Sequence, residues 1–287
     1  MHPQNLKTRM FLDSGDPKET AELIKILGFL DGQTTNPSLI AKNPDAQKRL
    51  QEGKKFQKEE VYDFYKKVIQ ELSAMIPQGS ISIEVYADLH TTADQMFAQA
   101  QAMNTWIPNA HIKYPTTKEG LAAAERSIQA GMKVNMTLCF SQDQAAAVYA
   151  ATKGAKKGDV FLSPFIGRLD DIQQNGMDLI KNIIEMYKSG DGHVEVLTAS
   201  VRSMDHFLYA LKLNSDIITA PYKIFKEWHE KGLPMPQSDF SYNAENLAPI
   251  TYKNLNLNQS WQDFSIDHEL TTKGIEKFSQ DWNALVA

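Results

Sequence analysis

His111-Ile112-Lys113-Tyr114-Pro115-Thr116-Thr117 is the stretch on which the reading of the fold turns. A short apolar run ends in a lysine, and a proline and two threonines then lead toward a helix start. Proline has no backbone N–H to donate, so the strand should stop at Pro115. That leaves Lys113 at the carboxyl end of a strand, the end at which barrels and open α/β sheets place their chemistry. A lysine desolvated by a barrel interior can lose its proton and attack a carbonyl. Taken alone, a lysine at a strand end is more often a solvated surface residue. The surrounding chain decides between the two.

Outward from this strand, the pattern alternates. Residues 10–13, 31–35 and 81–86 read as strands before it, and residues 133–139, 159–163, 194–198 and 216–219 after it; the lysine strand itself covers 110–113. Helical stretches fall between them. Asp16-Pro17-Lys18-Glu19 is a capping signature with proline at the first helical position, and Gly28 can close that helix. Val61, Phe64, Tyr65, Val68, Ile69, Leu72 and Ile76 form one helical stripe after a polar segment, 43–58, that reads as a loop or short helical insertion. Further helices are expected from Thr92, over 117–130, 142–151 and 170–187, after Ser203, and over 221–230. Eight strand–helix alternations predict an α/β protein, a parallel (β/α)8 TIM barrel, over residues 1–232. Residues 233–265 are rich in Pro, Asn, Ser and Gln and should wrap over the barrel surface. A final helix with Ile275, Phe278, Trp282 and Leu285 on one face, and Thr271-Thr272 as cap candidates, completes a C-terminal extension over 233–287. That helix must bury its stripe on its own barrel or on a neighbour, so the whole reads as one domain with an appendage.

Composition narrows the function classes. The 287 residues carry a net charge of −5, which argues against general nucleic-acid binding but leaves room for a local cationic pocket. The single cysteine, Cys139, excludes an internal disulfide and a multi-cysteine metal site, and the histidines lack metal-ligand spacing. The start, Met1 to Arg9, is polar, and no apolar run approaches the roughly 18 residues of a membrane span. A cytoplasmic protein that uses no metal or cofactor and contacts no membrane is expected.

Successive strand side chains point to opposite faces, and apolar faces pack on the outer helices. Ile81, Ile83 and Val85 therefore face out, and Glu84 faces in. By the same logic Asp13, Lys113, Asn135, Thr137, Cys139 and Ser163 face inward. A purely structural barrel fills its interior with branched apolar layers. Any one of these polar residues could be a satisfied buried group. A lysine and two carboxylates aimed at one interior form a functional constellation.

The same residues carry a resemblance. Phe11-Leu12-Asp13-Ser14, Thr34-Thr35-Asn36-Pro37-Ser38-Leu39-Ile40, Ile83-Glu84-Val85, Ile112-Lys113, Asn135-Met136-Thr137-Leu138-Cys139-Phe140-Ser141 and Ser163-Pro164-Phe165-Ile166-Gly167-Arg168 resemble, in order and spacing, segments of the transaldolase family. Leu270-Thr271-Thr272-Lys273-Gly274-Ile275 is similar to family C-terminal segments. The resemblance implies a metal-independent Schiff-base barrel of the pentose phosphate pathway. Such an enzyme moves a dihydroxyacetone unit from a ketose phosphate (sedoheptulose 7-phosphate or fructose 6-phosphate) to an aldose phosphate (glyceraldehyde 3-phosphate or erythrose 4-phosphate). It makes Lys113 the nucleophile and Asp13 the acid/base at the C4 hydroxyl. Glu84 and Thr137 would hold the proton-shuttling water. Asn36, Asn135 and Ser163 would hold the dihydroxyacetone hydroxyls, with Thr34 and Phe165 as further substrate-binding positions. Arg168, Ser200 and Arg202 would bind the sugar phosphate. The expected partners are phosphorylated sugars and a second copy of the chain, with a dimer favoured.

Two departures bear on the subfamily. Tyr114-Pro115-Thr116 looks more like the smaller aldolase-type relatives. Glu84 and Phe165 look like transaldolases, because the fructose 6-phosphate aldolase relatives typically carry a glutamine and a tyrosine there. A transferase is therefore weighed against an aldolase that releases free dihydroxyacetone, and against a non-catalytic phosphosugar-binding barrel.

Overall fold

The computed structural model describes residues 6–287. The first five residues, part of the polar start read above, lie outside the described residues. Eight parallel strands close into one barrel in chain order: β1 (Arg9–Asp13), β2 (Gly32–Thr34), β3 (Ser80–Glu84), β4 (Ala110–Pro115), β5 (Val134–Cys139), β6 (Val160–Pro164), β7 (Val194–Thr198) and β8 (Ile217–Ala220). β1 closes on β8, with Arg9 opposite Ile217 and Leu12 opposite Ala220. Glu84 lies opposite Lys113, and Lys113 opposite Asn135. That register sets three inward polar side chains at one height in the barrel.

Helices alternate with the strands: α1 (Pro17–Leu27), α2 (Pro37–Ala41), α3 (Pro44–Gln51), α4 (Lys58–Met75), α5 (Ala93–Asn104), α6 (Lys118–Gln129), α7 (Gln142–Ala151), α8 (Ile166–Asp171), α9 (Gly176–Tyr187), α10 (Met204–Lys212), α11 (Tyr222–Glu230) and α12 (Glu269–Leu285). Local chemistry sets many of their starts. Asp16 accepts from Lys18 N, Thr117 from Gly120 N, Ser141 from Gln144 N and Ser203 from His206 N, each satisfying an orphan donor of a first turn. Gly28 closes α1 at φ 77°. On α4, Val61, Tyr65, Val68, Ile69 and Leu72 are buried against the barrel, each side chain contributing about 1.5–3 kcal/mol of transfer free energy.

Four expectations need correction. β4 runs two residues past Lys113 before Pro115 ends it. Ile112 N donates to Lys133 O, just before β5, and Thr116 N to Thr137 O of β5, both at 2.8 Å, so the alternating Pro115 nitrogen faces the β3 side, where β3 has already stopped and no ladder bond is lost. Second, the helix expected over 170–187 is two helices. Gln173 takes a left-handed φ of 61°, and Asn175 caps a fresh start by accepting from Met177 N at 3.1 Å. The short α8 that results carries Arg168. Third, Cys139 does not face the interior. The β5–β6 register slips between Met136 and Cys139, and Leu138 has a φ of 56°, so alternation breaks there. Cys139 turns toward the helical layer, within electrostatic reach of Tyr187 on α9, and burial pushes its thiol up to about 12. Fourth, the cap of α12 is His268, whose Nδ1 accepts from Leu270 N. Thr271 sits inside the helix and donates to the Leu138 carbonyl at 2.9 Å.

The segment before α12 lies over α7 and α9. Asn182 Nδ2 donates to Ile250 O at 2.7 Å, and Gln142 Nε2 to Thr251 O at 2.9 Å. α12 then packs on its own barrel, with Trp282 against the Tyr62 and Tyr65 rings of α4, at 5.4 and 5.8 Å between centroids. Among the described residues, no helix is long and apolar enough to cross a membrane.

Candidate active site

Lys113 is 2 % exposed, so its ammonium depends on protein partners. Nζ donates to the Thr35 carbonyl at 3.1 Å and lies 3.1 Å from Glu84 Oε2. Glu84 is buried too, and desolvation pushes its carboxyl up to about 7 against the pull of Lys113. Tyr65 Oη reaches in from α4 and accepts from Glu84 N at 2.9 Å, fixing the end of β3.

Asp13 occupies the end of β1. Its Oδ1 accepts from Thr34 Oγ1 at 2.7 Å, and Thr34 in turn meets Thr219 Oγ1 of β8 at 2.6 Å. Burial pushes the Asp13 carboxyl up from its ordinary value, while Lys113, Thr34 and Lys42 pull it down. Two carboxylates thus share the field of one lysine, which favours a proton resident on one of them.

A hydrogen-bonded row lines the opposite wall. Ser163 Oγ donates to Asn135 Oδ1 at 2.7 Å, and Asn135 Nδ2 donates to Ser82 Oγ at 3.0 Å. Asn36 Oδ1 is committed to capping α2, accepting from Leu39 N at 2.9 Å, which leaves its amide nitrogen as the group it can offer a ligand. Thr137 Oγ1 is buried without a protein hydrogen-bond partner. Buried polar atoms of that kind are rare and call for a reason.

Asp13, Thr34, Asn36, Lys113, Ser163, Phe165, Arg168 and Ser200 line one cavity of about 220 Å³ at the carboxyl end of the strands. Glu84 joins them through its ion pair with Lys113, while Asn135 and Thr137 belong to the buried wall. Arg202 is the outlier. Its guanidinium turns outward to a two-pronged ion pair with Asp171, one prong at 2.7 Å, and it does not line the cavity. Arg168 sits at the rim, with no carboxylate paired to it among the described residues; burial and the nearby Arg202 both lower its pKa. A larger groove of about 750 Å³, between α4, α5 and the end of α12, holds no buried charged group and is a poorer candidate.

The site also contains residues that sequence reasoning missed: Ser38, Leu39, Lys42, Thr219, Lys277, Phe278 and Asp281. Alternation along β8 could have found Thr219. Phe278 was legible as part of an apolar stripe, but nothing local said where that stripe would land.

A family model described as Transaldolase/Fructose-6-phosphate aldolase matches residues 10–287. The probable transaldolase of Alkaliphilus metalliredigens is 35 % identical over 97 % of this chain and 99 % of its own length. That of Dehalococcoides mccartyi is 32 % identical over 96 % and 99 %, and that of Caulobacter vibrioides 34 % over 96 % of both. Among solved structures, the 3-hexulose-6-phosphate synthase from Salmonella typhimurium aligns over 78 % of this chain and 97 % of its own, at 11 % identity and a TM-score of 0.48. A closed eight-stranded barrel with a buried lysine between carboxylates, matched end to end by one family model, places the chain in the transaldolase/fructose-6-phosphate aldolase family.

Proposed function

We propose that this protein is a transaldolase acting through a Schiff base on Lys113, transferring a dihydroxyacetone unit between phosphorylated sugars. The observation that carries the reading is the Lys113 ammonium, buried between the Glu84 carboxylate and the Thr35 carbonyl, with Asp13 in the same cavity. An amine must shed a proton to attack a carbonyl, and a carboxyl near 7 is poised to take it.

The neutral Lys113 amine adds to the C2 carbonyl of the ketose phosphate. The carbinolamine loses water, with Glu84 and the Thr137 hydroxyl handling the protons, and leaves an iminium. Asp13 takes the C4 hydroxyl proton; the C3–C4 bond breaks, and its electrons move into the iminium to give an enamine. The first aldose leaves. An acceptor aldehyde enters, C3 of the enamine attacks it, Asp13 returns the proton, and water releases the product. Asn36, Asn135 and Ser163 would hold the three-carbon unit, and Arg168 with Ser200 the phosphate.

The second reading is an aldolase that releases dihydroxyacetone. Its motive, Tyr114-Pro115-Thr116, lies away from the chemistry: Tyr114 Oη bonds Ser127 of α6 at 2.7 Å, on the helical side of the wall. Glu84 and Phe165, the positions that look like transaldolases, face Lys113 and the cavity. These placements support the transferase.

The test is borohydride trapping. Incubation with fructose 6-phosphate, reduction and peptide mapping should give a three-carbon adduct on Lys113, and none in Lys113→Met. Substrate binding without an adduct would reject the mechanism. Turnover that depends on an acceptor aldehyde supports transfer; rapid free dihydroxyacetone without one supports the aldolase.

A further inference from the structure

We propose that α12 completes the anion-binding end of the site: Phe278 is a positioning residue that, together with Phe165, holds the Arg168 guanidinium at the cavity, and Gly274 supplies the clearance for it. The inference rests on the phosphosugar reading above.

Arg168 has an unusual setting for an arginine. No carboxylate makes an ion pair with it among the described residues; a like charge, Arg202, stands nearby, and Glu84 and Asp171 act on it only at longer range. A long side chain without a direct ion pair has little of its own to fix where its guanidinium sits. Two aromatic rings hold it instead: its Cζ lies 5.5 Å from the Phe165 centroid and 5.5 Å from the Phe278 centroid. Both rings and Arg168 line the same cavity. Rings attract the planar cation without using its N–H donors, which stay available to a phosphate.

Gly274 is a second, independent observation. Glycine is costly inside a helix, so its place in α12 needs a reason. A Cβ there would stand 2.9 Å from Arg168 Nη1 and 2.6 Å from Leu138 Cδ2. A side chain at this position would have to displace the ends of the Arg168 and Leu138 side chains. α12 is itself tied down on both sides of the mouth: Asp281 accepts from Ser38 of α2, and Thr271 donates to Leu138 of β5. Phe278 therefore projects from a fixed support rather than from a loose terminus.

The test compares phosphorylated with unphosphorylated donors in Phe278→Leu, Phe278→Tyr and Gly274→Ala. The ratio of kcat/KM for fructose 6-phosphate over fructose should fall about tenfold in Phe278→Leu, and the inhibition constant of inorganic phosphate should rise about tenfold, the scale of one partly buried cation–π contact. Phe278→Tyr keeps a ring and should restore both to within about twofold of the parent protein. Gly274→Ala should move both in the same direction as Phe278→Leu, and it decides the matter if Phe278→Leu does not fold. An unchanged phosphate constant, or equal losses on both donors, would overturn the inference and leave Phe278 as packing alone. A missing Lys113 adduct in the parent protein would instead sink the functional reading, so the two failures are distinguishable.

Discussion

Opposite charges pair at both ends of the barrel interior, yet the two ends differ in kind. At the amino end, Arg9 pairs with Glu195 at 2.7 Å and lies over the Phe161 and Phe11 rings, at 5.1 and 6.0 Å. His111 stacks on Phe161 at 4.0 Å, with one ring nitrogen on Ser80 Oγ and the other on Gly158 O. Burial lowers the His111 pKa to about 3, so the ring stays neutral near pH 7. Arginine does not give up its proton, and among the described residues Arg9 is ion-paired with Glu195. At the carboxyl end, Lys113 meets Glu84 and the field of Asp13, and Glu84 sits at about 7. The first set is a locked plug; the second can exchange a proton. Buried charge alone therefore does not mark a site. Uneven charge with a proton to move does.

That contrast can be broken most sharply at Lys113 itself. Lys113→Arg gives the carboxyl end the chemistry of the amino end: the charge stays but the proposed nucleophile goes. Transfer should fall by more than about 10⁴-fold, with no borohydride adduct. Retained turnover would mean that the two ends do not differ as described. Glu84→Gln should lower kcat by about 10²–10³-fold. In the parent protein, kcat/KM should decline as pH drops below about 7, because on the proposed mechanism a protonated Glu84 would no longer accept the lysine proton. The variant's residual rate should lack that inflection; an unaltered profile would assign the limb to another group.

Glu195→Gln addresses the other end. It leaves the half-exposed Arg9 without its carboxylate and should cost about 1–3 kcal/mol in denaturant unfolding, while Lys113 still traps substrate. Loss of trapping at full stability would show that the ends are coupled. The smallest effect is expected from Arg202→Ala. Because Arg202 already pairs with Asp171 outside the cavity, the KM for the phosphosugar should rise only about threefold, more than kcat falls. No change in KM would remove Arg202 from the site.

Period-two alternation is a local rule, and it placed Asp13, Glu84, Lys113, Asn135 and Ser163 on the inner face without any knowledge of the barrel's partners. Strand–helix alternation and cap residues such as Asp16, Thr117 and Ser141 made the barrel itself legible, since each depends on neighbours a few residues away. At two of the places where the local rules failed, a backbone torsion was responsible. Leu138 and Gln173 adopt positive φ, the first turning Cys139 outward and the second splitting α8 from α9. Neither residue type announces such a conformation.

Other features were out of reach because they join segments distant in the chain. Phe278 meets Arg168, Asp281 meets Ser38, and Arg202 turns to Asp171 only once the barrel has closed. The proton balance of the site is of the same kind: the shift of Glu84 comes first from burial, which no stretch of β3 can express by itself. Which side chains point inward was written in the order of residues; how hard water is excluded from them, and what lies across the mouth, was settled by closing eight strands and laying the last helix over them.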